Sequence, residues 1–165
     1  MLRYKVCLLG APGVGKSSLV RRFVEGIFDD RYLKTLGVKI DRRAVETKHG
    51  PASLIVWDVQ GPEEQLPLNP RHLSGMAGYL LVVDASRPDT VDTAETLRAT
   101  LDVNVPYVLV SNKADLIDDW QLADRATAAL TSSAEAHFRT SAFDGHNVEA
   151  AFASLGSVLT AQSNT

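Results

Sequence analysis

The stretch GAPGVGKSS, from Gly10 to Ser18, follows directly after the apolar run YKVCLL, from Tyr4 to Leu9. The run is short, mostly apolar and rich in strand formers, which predicts a buried β-strand. Beyond the stretch, apolar residues recur at helical spacing, so we expect a helix to begin near Lys16. A strand, a glycine-rich loop and a helix, in this order, are the setting that the phosphate-binding motif G-x-x-x-x-G-K-[ST] requires.

The loop has the chemistry that a nucleotide phosphate needs. Its glycines let the backbone approach an anion closely, and its N–H groups and the helix N-terminus would face the phosphates. Lys16 would reach the β- and γ-phosphates, and the Ser17 hydroxyl would bind Mg2+. The alternative interpretation is a turn that matches the motif by chance, which the flanking strand and helix disfavour. The nucleotide-binding residues predicted here are Gly13, Val14, Gly15, Lys16, Ser17 and Ser18.

Composition narrows the class of protein. The chain has 165 residues, a net charge of -3 and one cysteine, Cys7. This length suggests a single domain, residues 1–165, with a full-sized core. The charge balance gives no basic surface for nucleic acid. No apolar stretch reaches the length of a membrane span, no signal peptide precedes the first strand, and a single cysteine forms no intramolecular disulfide, so we expect a cytoplasmic protein.

Apolar runs alternate with helical patterns along the rest of the chain. The runs LIVW, YLLVVD and YVLVS are nearly continuous, which is typical of strands that are covered on both faces. Ahead of them, Val38, Ile40 and Ala44 alternate with polar residues, and the turn KHGP predicts a hairpin into the next strand. These patterns predict an α/β fold, a doubly wound sheet with ligands at the carboxyl ends of its strands. The remaining predicted elements are helices over Thr90–Leu101, Gln121–Leu130 and Val148–Thr160 and a strand over Ala136–Thr140.

Three further motifs follow predicted strands, at the edge where a ligand is expected. In WDVQG, Asp58 is placed to bind the Mg2+ shell and Gly61 to offer its N–H to a γ-phosphate, although D-x-x-G alone could be a simple turn. In SNKAD, the carboxylate of Asp115 can accept two hydrogen bonds from guanine, a donor pair that adenine lacks. The TSA motif would present a backbone N–H to the guanine oxygen. The base-binding residues predicted here are Asn112, Lys113, Asp115, Ser141 and Ala142.

The order GAPGVGKS, a threonine, WDVQG, NKAD and TSA resembles the Ras superfamily of small GTPases over essentially the whole chain. The segment TLGVKI, from Thr35 to Ile40, and Trp57 ahead of the aspartate make the chain most similar to Rab-type members. The resemblance implies a P-loop NTPase fold with a mostly parallel six-stranded sheet, one antiparallel strand and about five helices. It also implies a switch that binds GTP or GDP with Mg2+ and hydrolyses GTP.

The resemblance assigns roles to two switch segments. Thr35 becomes a second hydroxyl ligand of Mg2+ and the γ-phosphate sensor of switch I, and Tyr32 would close over the phosphates. Phe28 would pack against the edge of the guanine. Switch II would begin at Asp58 and extend to about Arg71. Contacts with the γ-phosphate would order both segments, and hydrolysis would relax them.

The same resemblance implies protein partners. Effectors or activating proteins are expected on Leu36–Ile40, Trp57 and switch II, although Trp57 could equally be half-buried at the sheet edge. The C-terminal sequence LTAQSNT has neither a cysteine for prenylation nor a polybasic tail, so no direct lipid anchor is expected. We also expect a monomer that binds no nucleic acid.

Pro62 stands where the family usually has the glutamine that orients the attacking water. Proline cannot position a water, and its ring restricts Gly61 before it. Gln60, Glu63 or Glu64 could take over, with Gln60 the best chemical match. The catalytic residues predicted are Lys16, Thr35, Gly61 and Gln60. Candidates for an internal cation on the transition state, each of which could equally be a solvated surface charge, are Arg31, Lys34 and Arg71.

Three other features depart from the family pattern. Pro12 lies in the loop where glycine is usual, next to the γ-phosphate. Phe143 replaces the lysine that commonly follows the S-A pair, and its ring could pack against the base or ribose. The prolines of switch II argue against a long regular helix there: Pro62, Pro67 and Pro70.

Two functions remain open on this evidence. One is a GTPase of weak intrinsic activity, with a partner that aids hydrolysis. The other is a binding module that holds GTP or GDP with negligible hydrolysis, in which Pro62 marks the lost activity. An ATP-dependent kinase is disfavoured because it would leave the NKAD motif unexplained.

Overall fold

The computed structural model describes residues 1–24, 31–33, 38–59 and 68–165, with the backbone alone for residues 31–33. Within these ranges, seven strands form one sheet. Their bounds are β1 Leu2–Gly10, β2 Arg31–Leu33, β3 Val38–Thr47, β4 Gly50–Val59, β5 Gly78–Asp84, β6 Tyr107–Asn112 and β7 Ala136–Arg139.

The strands follow the order β2-β3-β4-β1-β5-β6-β7 across the sheet. β1 pairs in parallel with β4 and β5, and β6 pairs in parallel with β5 and β7. β3 runs antiparallel to both of its neighbours, so it is the one reversed strand of the described sheet. The predicted α/β fold with a mostly parallel sheet is confirmed, and the three-residue β2 joins the six strands that were predicted.

Helices connect these strands, with one short 3₁₀ turn at Ala114–Leu116. The predicted helix over Gln121–Leu130 is instead two helices that are separated at Thr127. The Thr127 hydroxyl donates to the carbonyls of Ala123 and Asp124, both at 3.3 Å, and such bonds to the preceding turn bend a helix. The described ranges therefore hold six α-helices, one more than about five: α1 Lys16–Val24, α2 Pro70–Leu73, α3 Asp89–Thr100, α4 Trp120–Ala126, α5 Ala128–Ser133 and α6 Val148–Ser163.

Both faces of the sheet are covered, which explains the continuous apolar runs. On one face, Phe23 of α1 stacks on Phe152 of α6, with ring centroids 3.9 Å apart. On the other face, Ala94 of α3 and Leu130 of α5 are buried in a cluster with Tyr107 of β6. No helix in the described part of the chain is long and apolar enough to cross a bilayer.

β3 buries only part of the face that its alternation indicated. Val38 is buried and Ile40 is half-buried, but Ala44 is exposed and its neighbour Val45 is buried instead. The reason is α6, since a Cβ placed on Gly156 would lie 3.0 Å from Cγ2 of Val45. The helix thus covers the strand at Val45, and the alternation predicted the strand correctly but not which residue is buried at this point.

Candidate functional site

The carboxyl ends of the parallel strands bring the predicted motifs to one edge of the sheet. Gly10 ends β1, Asp84 ends β5 and Asn112 ends β6, while Asp58 is the penultimate residue of β4. The strand register places Leu8 beside Asp58 and Asp84 beside Asn112. Residues that are distant in sequence therefore meet around the loop that follows β1.

Residues 10–16 take the chain from the end of β1 through a tight loop into the start of α1. Gly13 and Gly15 have φ angles of 77° and 101°, in the region that favours glycine. Space is limited as well, because a Cβ on Gly15 would lie 2.4 Å from Nδ2 of Asn112. The backbone therefore requires the glycines that the sequence motif contains. Val14 and Lys16 are both buried in this loop.

Side chains hold the backbone of the loop in place. All carbonyl oxygens of residues 10–14 accept a hydrogen bond from a side-chain donor. Each bond fixes a peptide plane and, except at the Ala11–Pro12 peptide, the N–H group of the following residue, which is the donor that such loops offer to phosphate. The pairs are Lys16 Nζ with the carbonyls of Gly10 (2.9 Å) and Ala11 (3.2 Å), Arg87 Nη2 with Pro12 (2.9 Å), Lys113 Nζ with Gly13 (2.9 Å) and Asn112 Nδ2 with Val14 (2.9 Å).

Two predicted Mg2+ ligands lie together beside the loop. The Ser17 hydroxyl donates to Oδ2 of Asp58 at 2.6 Å, and Asp58 is buried. A hydroxyl and a carboxylate are the hard oxygen ligands that Mg2+ prefers when it keeps waters and substrate phosphates as its other ligands. Within the described ranges there is no group of three or more His, Cys, Asp or Glu residues that could hold a metal. The residues present therefore fit a Mg2+ site that phosphate completes.

The residues predicted to read the base lie at the same edge. Asn112 is buried, and its Oδ1 accepts a hydrogen bond from the Thr140 hydroxyl at 3.0 Å. Asp115 is exposed, and its Oδ1 accepts one from the Ser141 hydroxyl at 2.9 Å. The buried amide thus ties the base motif to the phosphate loop, while the carboxylate is held in position at the surface, where a base could reach it.

The loop after β7 carries the last predicted site residues. The side chain of Phe143 is 82% exposed, so it makes little contact with the rest of the protein. Arg22 of α1 donates to the carbonyls of Ala142, at 3.1 Å, and Phe143, at 2.6 Å. Arg22 therefore joins the helix after the phosphate loop to the loop of the TSA motif, a connection that the sequence analysis missed.

Asp84 is a buried acid that the sequence analysis also missed as a site residue. Its Oδ2 lies 2.9 Å from Nζ of Lys113 and 3.4 Å from Nε of Arg87, and Ser86 donates to Oδ1. Burial opposes ionisation of this carboxyl, but the hydrogen bonds from Ser86 and Lys113 outweigh it and lower its pKa. Its role could have been predicted from the sequence, because Asp84 is a charged residue at the end of an apolar run, where the strand reaches the edge that binds ligands.

Trp57 is half-buried and packs against the apolar cluster on the α3 side of the sheet. Nζ of Lys5 lies 3.6 Å from the centroid of its ring and donates to the carbonyl of Ser74 at 2.7 Å. Burial lowers the pKa of Lys5. Of the two environments expected for Trp57, the structure shows the one that is half-buried at the sheet. The exposed part of the ring remains a candidate contact for partners.

Several predicted residues lie outside the described part of the chain. For Tyr32 and Arg31 only the backbone is described, in β2. Arg71, by contrast, is described and lies exposed on α2. α2 begins at Pro70, and the expectation that switch II forms no long regular helix falls mostly on residues 60–67, which lie outside the described part of the chain. The undescribed residues with predicted roles are Phe28, Lys34, Thr35, Leu36, Gly37, Gln60, Gly61, Pro62, Glu63, Glu64 and Pro67.

Comparison with known proteins gives a consistent result. The family model described as "Ras family" matches residues 5–161. The human Ras-related protein Rab-22A is 34% identical over 153 residues, which cover 90% of this chain and 79% of that protein. Rab-11A of Dictyostelium discoideum is 34% identical over 160 residues, covering 92% and 73%. RABA4a of Arabidopsis thaliana is 31% identical over 157 residues, covering 92% and 70%.

Proposed function

Because the chain belongs to the Ras family and is a Rab-like small GTPase, we propose that it is a switch that binds GTP or GDP with Mg2+ and hydrolyses GTP slowly. The observation that carries the proposal is the meeting of three subsites at one edge of the sheet. These are the loop of residues 10–16, the Ser17–Asp58 pair and the Asp115 carboxylate.

The distances support separate roles for the residues that bind phosphate, base and metal. The N–H groups of the loop and Lys16 would bind the phosphates, and Asp115 would accept hydrogen bonds from guanine. Ser17 and Asp58 would hold Mg2+, with Thr35 as a further ligand. Mg2+ held by these residues would supply positive charge against the negative charge that develops on the phosphates during phosphoryl transfer. Asn112, which contacts both Thr140 and Val14, would keep the base and phosphate subsites in register.

Slow hydrolysis is inferred from Pro62. The binding and metal residues are present, and positioning with electrostatic stabilisation supplies most of phosphoryl-transfer catalysis. Orientation of the water would then come from Gln60 or from a group that an activating partner supplies. Partners would contact switch I, the exposed part of Trp57 and switch II. The alternative, a binding module with negligible hydrolysis, is also favoured by Pro62 and differs only in rate.

Two measurements test this proposal. First, displacement of fluorescent GDP by GTP, XTP and ATP measures base selectivity; GTP is expected to compete best, and equal competition by ATP would contradict the assignment of Asp115. Second, single-turnover hydrolysis of bound GTP, started by Mg2+ without a partner, measures the intrinsic rate. A slow but measurable rate supports the GTPase. A rate indistinguishable from that of free GTP supports the binding module.

A further inference from the structure

Arg87 is an arginine that reaches the phosphate loop from a different part of the chain. It lies in the turn between β5 and α3, and its Nη2 donates to the carbonyl of Pro12 at 2.9 Å. A Cβ placed on Gly13 would lie 3.7 Å from Nη1 of the same side chain. The guanidinium therefore lies against two successive residues of the loop while 44% of the side chain stays exposed.

Asp84 holds this arginine in place. The buried carboxylate contacts Nε of Arg87 at 3.4 Å, and the Arg87 backbone N–H donates to the Asp84 carbonyl at 2.9 Å. Ser86 fixes the other carboxylate oxygen through its N–H, at 2.9 Å, and its hydroxyl, at 2.6 Å. With backbone and carboxylate both constrained, the arginine has fewer conformations to lose when it contacts the loop.

The same carboxylate also binds Lys113, which donates to the next carbonyl of the loop. Asp84 thus places two cations on successive carbonyls, Arg87 on that of Pro12 and Lys113 on that of Gly13. The C=O and N–H of a trans peptide point in opposite directions. Fixing the Pro12 carbonyl therefore fixes the direction of the Gly13 N–H, one of the donors available to an anion in this loop.

The sequence of the loop makes the hydrogen bond from Arg87 to the Pro12 carbonyl important for the loop conformation. Pro12 has no N–H, so the loop has one donor fewer than a loop with glycine there. Gly13 has a φ of 77° and no Cβ, so little in the chain itself opposes rotation of the peptide that joins these two residues. A hydrogen bond from a charged donor to the Pro12 carbonyl opposes that rotation.

We propose that Arg87, anchored by Asp84, is a positioning residue that holds the Pro12–Gly13 peptide with its N–H directed at the nucleotide phosphates, and so slows nucleotide release. The inference rests on the proposed function. Because Arg87 is not expected to contact the γ-phosphate, it should slow the release of GDP and GTP equally. Arg87 is also not expected to contribute to recognition of the base, which we assign to Asp115.

The test compares Arg87→Ala with Arg125→Ala, which removes the same charge from an exposed position on α4. Dissociation of fluorescent GDP and GTP is measured with Mg2+ present, together with the preference for GTP over XTP. Arg87→Ala is expected to speed release of both nucleotides by the same factor, about fivefold, given one charged hydrogen bond at a half-exposed site. The preference for guanine and all values for Arg125→Ala are expected to stay unchanged.

Other outcomes overturn the inference. Unchanged release rates would mean that the contact with Pro12 does nothing for the nucleotide. Faster release of GTP alone would identify a γ-phosphate contact instead. If nucleotide release becomes faster only to the extent that the melting temperature of the nucleotide-free protein falls, the role of Arg87 is merely structural. Arg87→Lys, which keeps the charge, tests the same point with a smaller structural change. Failure of the unaltered protein to bind any nucleotide would contradict the proposed function itself.

Discussion

The hydroxyl of Ser17, at the start of α1, lies 2.6 Å from a carboxylate oxygen of Asp58, near the end of β4. The pair joins the two motifs that the sequence analysis assigned to Mg2+. Because Asp58 is buried, its charge is poorly screened by water and attracts a cation strongly at this point. The two oxygens therefore lie close together at the point where the proposed function places Mg2+.

Removal of the Ser17 hydroxyl is expected to weaken Mg2+ binding. Ser17→Ala should lower the affinity for Mg2+ by at least about tenfold, the scale found even for residues one shell further from a metal. The measurement is the release rate of GDP as a function of Mg2+ concentration. The control, Ser132→Ala, removes an exposed hydroxyl of α5 that donates to the carbonyl of Ala129 in the same helix. A Mg2+ dependence that is the same in both variants would contradict the metal assignment.

Asp115→Asn is expected to change the preferred base from guanine to xanthine. An asparagine amide can donate to the oxygen that xanthine carries where guanine has its amine, while the carboxylate that accepted from the amine is gone. The loss for GTP should be roughly 100-fold or more, because each of the two hydrogen bonds to the carboxylate contributes about 1.5–3 kcal/mol. Competition of GTP and XTP against fluorescent GDP measures both the loss of affinity for GTP and the base preference. Asp118→Asn, at an exposed position nearby, should keep the preference for guanine, and an unchanged preference in Asp115→Asn would refute its role.

The local parts of the site were predictable from the sequence. Lys16, Ser17, Asp58 and Asp115 belong to short contiguous motifs, and each motif follows an apolar run that forms a strand. Since the carboxyl ends of parallel strands meet at one edge of a sheet, the order of the motifs was enough to predict that these residues would lie close together. The doubly wound fold followed from the same alternation of strands and helices.

The long-range contacts were not predictable. Arg87 bonds to the carbonyl of a residue 75 positions earlier, and Arg22 to that of a residue 120 positions later. Every residue has a backbone carbonyl, so neither acceptor leaves a signal in the sequence. The burial of Val45 in place of Ala44 was not predictable for a related reason, because the position of α6 rather than the alternation along β3 decides which of the two is covered.

Two phenylalanines with opposite settings give a matched test of stability and binding. Phe152 is buried against Phe23, so Phe152→Ala should lower the free energy of unfolding by about 3–5 kcal/mol. Phe143 is 82% exposed, so Phe143→Ala should change it by no more than about 0.5 kcal/mol. Urea unfolding measures both. If Phe143 packs against the bound base, its variant should release GDP faster although its stability is unchanged; equal release rates would remove it from the site.

His137 is expected to make stability depend on pH. Burial lowers its pKa below the ordinary value of 6.5, and its Nε2 lies 2.8 Å from the Ser111 hydroxyl. The folded state therefore favours the neutral ring. As the pH falls through 6.5, the unfolded chain takes up a proton first, so stability should decline from that pH towards the lower pKa of the folded state. Urea unfolding at several pH values should show a weaker decline in His137→Gln. His49→Gln, at an exposed turn, should retain the full decline, and equal slopes would contradict the assignment.

Replacement of Pro62 by glutamine is expected to raise the intrinsic rate of hydrolysis. An amide at this position can orient a water, which proline cannot, and a gain of tenfold or more is reasonable for one positioned group. Single-turnover hydrolysis of bound GTP measures the rate, with nucleotide affinity measured alongside so that a binding change is not mistaken for chemistry. Gln60→Ala in the otherwise unaltered chain is the companion variant. If Gln60 already orients the water, this variant should be slower and Pro62→Gln should add little. If neither change alters the rate, water positioning is not what limits hydrolysis, and the search for the missing group should turn to an activating partner.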